Sequence, residues 1–391
     1  MKLTRFRFTV LILLVTISGF TQGMLLPLIA ILLEQNGISS TLNGLHATGL
    51  YIGVLVASPF MEKPLQRLGF KPIIAIGGIL VFVSMAFFPF YQALWFWFML
   101  RVVIGIGDHM LHFGTQTWIT TASDASNRGR NISFYGLFFS LGFAIGPLMT
   151  RLVDIHPSLP FFLSSGLSVI VWGCLFFIRN EWPEQGGSVS TSTSSWYRFG
   201  QTFKYAWIAF LPPFGYGFLE ATLHGNFPVY GLRIGHDVDT LSLIIPCFAA
   251  GSLLLQIPLG VLSDRYGRRR VLSIALLIGV ATFFLASLLE HSVVALFFLF
   301  TVAGMFVGSI YSLGISFMTD LLPKSLLPAG NIMCGISFSI GSMIGPYIGG
   351  VFMDYVPSAS FFHVVSTTLF LISLPIVISR RRELRAAQSF S

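Results

Sequence analysis

The chain is written in long apolar runs, and these limit its fold more than any other feature. The first, Phe8 to Leu33, carries no charged residue. A run of about 20 mainly apolar residues matches the thickness of a bilayer core. Inside such a core every backbone N–H and C=O must find its partner within the protein, so runs of this length are expected to be helices. Reading the runs between polar breaks predicts spans at 8–33, 42–62, 72–91, 93–120, 131–152, 159–179, 206–230, 240–262, 271–289, 292–319, 330–352 and 359–379. Of the 391 residues, 54% are hydrophobic and only 10% are charged. That is too little polar side chain to cover a water-soluble globule. A soluble enzyme, a disordered chain and a disulfide-stapled secreted domain are excluded. The expected fold class is an all-α membrane protein with twelve transmembrane helices.

Lys2, Arg5 and Arg7 before the first run resemble the basic start of a secretory signal. The run is too long for one and no small-residue cleavage site follows, so it reads as the first span. The cysteines, Cys174, Cys247 and Cys334, lie in apolar stretches without metal-ligand spacing. They read as small buried hydrophobes, and neither a metal nor a cofactor is expected.

The net charge of +8 finds its place in topology. With the N-terminus in the cytoplasm, every basic residue of the 23 except Arg101, Arg151 and Arg233 falls on the cytoplasmic side. The positive-inside rule then puts both termini in the cytoplasm of a multi-pass cell-membrane protein. The charge records orientation and gives no reason to expect a nucleic-acid partner.

The two halves of the chain repeat. Gly142-x3-Gly146-Pro147 in the fifth span returns as Gly341-x3-Gly345-Pro346 in the eleventh, 199 residues later. Gly105 matches Gly304 and Pro59 matches Pro258 at the same offset, while Arg67-x-Gly69 matches Arg265-x-Gly267 at 198 and Asn131 matches Asn331 at 200. Between the halves lies a Ser/Thr/Gly-rich stretch, a flexible-linker composition. The expected domains are a six-helix bundle at 1–180, a cytoplasmic linker at 181–205 and a second six-helix bundle at 206–391. Parallel repeats of this kind put a substrate site between them near the bilayer midplane.

Gly260-Val-Leu-Ser-Asp264-Arg265-Tyr-Gly267-Arg268-Arg269-Arg270 lies between the eighth and ninth spans. It resembles the G-x-x-x-D-R-x-G-R-R loop signature of the major facilitator superfamily. Arg101-x3-Gly105-x-Gly107 resembles that family's fourth-helix motif, Gly142-x3-Gly146-Pro147 its exporter-associated fifth-helix motif, and Gly23-x3-Pro27 a first-helix motif of its drug exporters. The resemblance spans the whole chain. It departs from the pattern at the first copy of the loop signature, where Gln66 stands in the Asp position, and at Thr150-Arg151, where a double glycine often ends the fifth-helix motif.

The resemblance implies alternating access by two helical bundles, with no enzymatic activity. It makes Asp264, Arg265, Gly267 and Arg268 a cytoplasmic gate, with Asp264 latching onto the start of the eleventh span near Gly330. Gly142, Gly146, Gly341 and Gly345 permit close helix packing, and Pro147 and Pro346 bend their helices.

A charge at the bilayer centre costs at least about 2.5–3.5 kcal/mol, so its default reading is functional. Arg101, Gly105, Asp108 and His112 lie at i, i+4, i+7 and i+11, on one helix face that is expected to point into the central cavity. Glu220 and His224 share a face of the seventh span, and the repeat aligns Glu220 with Gln22. These six polar residues, Arg101, Asp108, His112, Glu220, His224 and Gln22, are the candidates for proton coupling or substrate binding. His46 and the outer carboxylates, including Asp354, read as solvated.

No nucleotide-binding signature occurs, so an ion gradient, protons first, is the expected energy source. The expected function is proton-coupled efflux of a small hydrophobic or amphipathic compound by a monomer. The alternatives are ion-coupled uptake of a sugar, organic anion or metabolite, with Arg101 on the anion, and flipping of a lipid or lipid-linked precursor.

Overall fold

The computed structural model describes residues 3–124, 127–183, 195–323 and 326–378. Lys2, Lys324, Arg380, Arg381, Arg382 and Arg385 lie outside these, as do linker residues 184–194. All twelve apolar runs are helical, and no strand occurs among the described residues. The first half forms α1 (Arg5–Gln35), α2 (Ser40–Ala57), the short α3 (Glu62–Leu68), α4 (Phe70–Phe87), α5 (Leu94–Ala122), α6 (Arg128–Ile145) and α7 (Leu159–Gly173). The second forms α8 (Ser195–Gly225), α9 (Phe227–Arg233), α10 (Val238–Tyr266), α11 (Arg268–Leu288), α12 (Val293–Val307), α13 (Ile310–Leu321), α14 (Leu327–Tyr355) and α15 (Phe362–Ile378). Among the described residues, nine segments are long and apolar enough to cross a membrane by length and composition. The other expected spans are α2, α8 with α9, and the 17-residue α15.

Contacts divide the chain into two compact units. One holds Met1–Ile38, Leu45–Gly187 and Asp237–Pro246; the other holds Ser39–Gly44, Ser188–His236 and Cys247–Ser391. The repeat is visible within each. In the first, α1 crosses α6 so closely that a Cβ on Gly142 would strike the Thr16 carbonyl oxygen. In the second, α8 crosses α14 in the same way, and a Cβ on Gly341 would strike the Phe214 carbonyl oxygen. Lipid tails are as apolar as leucine, so membrane helices associate through this kind of backbone approach, which only small residues allow. Gly69 and Gly267 occupy equivalent turns, before α4 and before α11, with φ of 84° and 94°. That left-handed backbone explains the glycine of the loop signature in both halves.

The two prolines sit in different local structure. α6 ends at Ile145, and Gly146–Asp154 winds as a tighter 3-10 helix with Pro147 in its first turn. α14 runs through Pro346 as an α-helix to Tyr355.

The expected linker at 181–205 is also partly structured. Its residues from Ser195 are already helical, and the break comes as a non-helical Ala206 (φ −132°, ψ 20°) inside α8. At its other end Glu181 is tied into the first unit. Its carboxylate accepts from Arg7 Nη1 at 2.7 Å and from Trp118 Nε1 at 3.0 Å, and its carbonyl accepts from Phe70 N at 2.9 Å. The Arg7 guanidinium lies 5.3 Å from the centre of the Trp118 ring, adding a cation–π contact.

Candidate functional site

In the first unit the polar face of α5 turns toward α1 and α6. Asp108 is buried, and both of its carboxylate oxygens are used: Ser18 Oγ donates to Oδ1 and Gln22 Nε2 donates to Oδ2. Ser18 and Gln22 are one turn apart on α1, so both meet the same carboxylate. Ser18 Oγ also lies 3.0 Å from His112 Nε2, whose ring is 3.7 Å from Asp108 Oδ1. On its far side His112 Nδ1 meets the Tyr135 hydroxyl of α6, and the His112 ring packs edge-on against Phe139. The expected orientation of this face into an open cavity is therefore corrected for Asp108. The neighbouring helix α1 satisfies both its oxygens, as buried polar groups require. His112 keeps 21% of its side chain exposed. His109 stays outside this cluster and stacks on Phe113.

Arg101, two turns away on α5, is 1% exposed. Nη2 donates to the Leu25 carbonyl at 3.4 Å, while Nε and Nη1 have no hydrogen-bond partner among the described residues. Arg101 and Asp108 thus have separate surroundings. His46, read as solvated, is buried; its Nε2 donates to the Leu94 carbonyl at 3.2 Å and its ring meets Phe98 edge-on.

In the second unit Glu220 is half-buried on α8. Its Oε1 accepts from the Tyr216 hydroxyl, one turn earlier, at 3.2 Å. Tyr216, Tyr311 of α13 and Phe338 of α14 form a ring cluster with centroids 5.5–6.1 Å apart. His224 shares the helix face of Glu220 but is buried, and its Nδ1 donates to the Glu220 backbone carbonyl at 2.8 Å.

The arginine loop is a brace in this structure. Arg268 donates to the Ser316 carbonyl and, at 2.8 Å, to Thr319 Oγ1, and it sits 3.3 Å from Asp264 and 3.2 Å from Asp320. Arg269 caps the end of α15, donating at 2.7 Å to the carbonyls of Ile376 and of Val377. The Arg265 guanidinium lies over the Tyr266 ring. Asp264, with 70% of its side chain exposed, faces Arg268. Gly330, near the start of α14, packs against Met318 and Leu322.

A helix-end contact does exist elsewhere. Asp354, read as a surface charge at the end of α14, accepts from Ser40 N at 3.1 Å and from Thr41 N and Oγ1 at 2.7 Å each. Arg233 Nη1 lies 3.6 Å from it. The carboxylate thereby caps the first turn of α2, where free N–H groups and the helix dipole favour a negative charge.

Residues the sequence reading missed are Ser18, Tyr135, Tyr216, Tyr311, Phe338 and Asp354. Two had a usable signal. Ser18 stands four residues before Gln22 in an apolar run, and Tyr216 stands four before Glu220.

The chain is similar to known proteins over its whole length. The family model described as Major Facilitator Superfamily matches residues 11–245 and again 214–390. An uncharacterized MFS-type transporter, YfkF of Bacillus subtilis (strain 168), is 53% identical over 389 residues, covering 100% of this chain and 99% of the relative. A second uncharacterized MFS-type transporter, Ent638_1421 of Enterobacter sp. (strain 638), is 22% identical over 94% of this chain and 93% of its own length. Two solved structures share the fold. The nucleoside transporter NupG has a TM-score of 0.74 at 12% identity, over 99% of this chain and 99% of its own. A bacterial homolog to the human lysosomal transporter Spinster has a TM-score of 0.73 at 15% identity, over 98% and 96%.

Proposed function

The chain belongs to the major facilitator superfamily, and from that premise we propose that this membrane transporter exports a small amphipathic compound, with a cationic or weakly basic group, in exchange for protons. The observation that carries this reading is the contrast between its two interior acids. Asp108 has both oxygens satisfied by Ser18 and Gln22 of α1, whereas Glu220 is half-buried with a tyrosine hydroxyl and an aromatic cluster beside it. A carboxylate next to ring faces suits an organic cation, by charge and by cation–π attraction. An acid enclosed by packed helices leaves no room for a substrate, whereas a proton needs no cavity. The outward direction rests on the fifth-helix Gly142-x3-Gly146-Pro147 motif. The proton gradient is the energy source in this reading, no cofactor is needed, and the protein works as a monomer with both termini in the cytoplasm. Uptake of an anion on Arg101 has less support, because that side chain is enclosed in the protein.

The test uses a lipophilic aromatic cation, tetraphenylphosphonium, as probe. At a hundredfold excess over its Kd it should stabilise the wild type by about 2.7 kcal/mol in thermal unfolding, and Glu220→Gln should lose this shift. In proteoliposomes with an imposed pH gradient, the wild type should move the probe against its gradient and Asp108→Asn should not. Unchanged proton-coupled flux in both variants would remove the basis of this assignment.

A further inference from the structure

The donors and acceptors around Asp108 fit together in a way that the proton-exchange reading alone does not require. An ionised carboxylate only accepts. Gln22 therefore turns its amide N–H toward Oδ2, and Ser18 gives its single hydrogen to Oδ1. Ser18 Oγ is then left with lone pairs toward His112 Nε2, so that nitrogen carries a hydrogen. In a neutral ring the other nitrogen, Nδ1, must accept, and the Tyr135 hydroxyl supplies the hydrogen. Every hydrogen from Tyr135 to Asp108 points the same way.

We propose that Tyr135, His112 and Ser18 form a proton wire ending on Asp108. The proposal deepens the proton-coupled reading above and rests on it. A proton reaching the Tyr135 oxygen releases that hydroxyl's own hydrogen to His112 Nδ1. The Nε2–H bond then breaks toward Ser18 Oγ, and the Ser18 hydrogen passes to Asp108 Oδ1. Four O–H or N–H bonds form and three break, one proton is gained, and Asp108 becomes a neutral acid. Discharge runs the same steps backwards. Midway, the proton resides on His112 as an imidazolium 3.7 Å from the carboxylate.

The placement along the helices gives the wire a direction. Tyr135 lies seven residues from the start of α6, about 10 Å by helix rise. Asp108 lies fourteen from the end of α5, about 21 Å. Tyr135 is therefore the end nearer the basic face of the protein. The titratable groups facing the site are few. α5 supplies His109 besides the wire residues, and α6 supplies Tyr135. α1 supplies none at this level. α4 has none between Pro72 and Phe87, and α2 offers only His46 in its first half and Tyr51 in its second.

Infrared difference spectra of the purified full chain in nanodiscs, taken through pH steps with ring-labelled histidine, test the wire without any substrate. In the wild type the Asp108 carboxyl band and the His112 ring change should arise in one pH step. Asp108→Asn should lose the carboxyl band. Ser18→Ala should split the step into two, and Ser18→Thr should restore one, which also controls for folding. Tyr135→Phe should slow deuterium exchange at His112. A band that survives in Asp108→Asn, a single step in Ser18→Ala, or unchanged exchange in Tyr135→Phe would overturn the wire. Because the readout is spectroscopic, a failed transport assay would count against the proton-exchange reading and leave this result interpretable.

Discussion

The two units of this transporter carry the same helix crossing and opposite treatments of an interior acid. Asp108 sits where α1 brings two donors to it, Ser18 and Gln22, and its carboxylate is part of the packing. Glu220 sits one repeat later, aligned with Gln22, and takes one hydroxyl from its own helix. A duplicated scaffold has thus kept its backbone contacts and redistributed its polar groups. One copy holds a saturated network and the other a half-buried carboxylate beside aromatic rings.

The largest expected difference lies in stability. Asp108→Ala strands the donors of Ser18 and Gln22 and leaves His112 without its acid, and should cost roughly 2–4 kcal/mol. Glu220→Ala should stay within about 1 kcal/mol of wild type. Denaturant unfolding in detergent measures both, and equal costs would break the contrast. Next come the crossings, where the units should behave alike. Gly142→Leu and Gly341→Leu should each cost about 1–3 kcal/mol from overpacking. A large disparity in thermal unfolding would show that the scaffold, too, has diverged. The smallest effect belongs to Tyr216→Phe, which removes one bond to Glu220 and should change stability by about 0.5–1.5 kcal/mol. A calorimetric titration with tetraphenylphosphonium should find its affinity lowered only a few-fold, because the ring remains.

Much of the fold was legible because its signals are local. Hydropathy marks the spans, arginines mark one face, and the 199-residue offset marks the repeat, which the structure returns as matching glycine contacts at Gly142 and Gly341. The candidate site was legible only in part. Asp108, His112 and Gln22 stood out because polar residues are costly in a span. Ser18 and Tyr135 did not, because a helix hides hydroxyls easily and the Ser18–Asp108 pairing bridges 90 residues. Asp354 was misread because the end of a span suggests water, and only the folded chain brings the first turn of α2 to it.

That cap on α2 has a consequence for how the protein is made. Ser40 and Asp354 are 314 residues apart in the chain. At a synthesis rate of ~5–20 residues per second, the first turn of α2 waits roughly 15–60 s for its acceptor. Through that interval its N–H groups must be held by water or by the insertion machinery. The contact closes only after α14 has been built and threaded, so a chain that stalls earlier keeps this turn open. The cap therefore marks the arrival of α14: no nascent form that ends before Asp354 can make it.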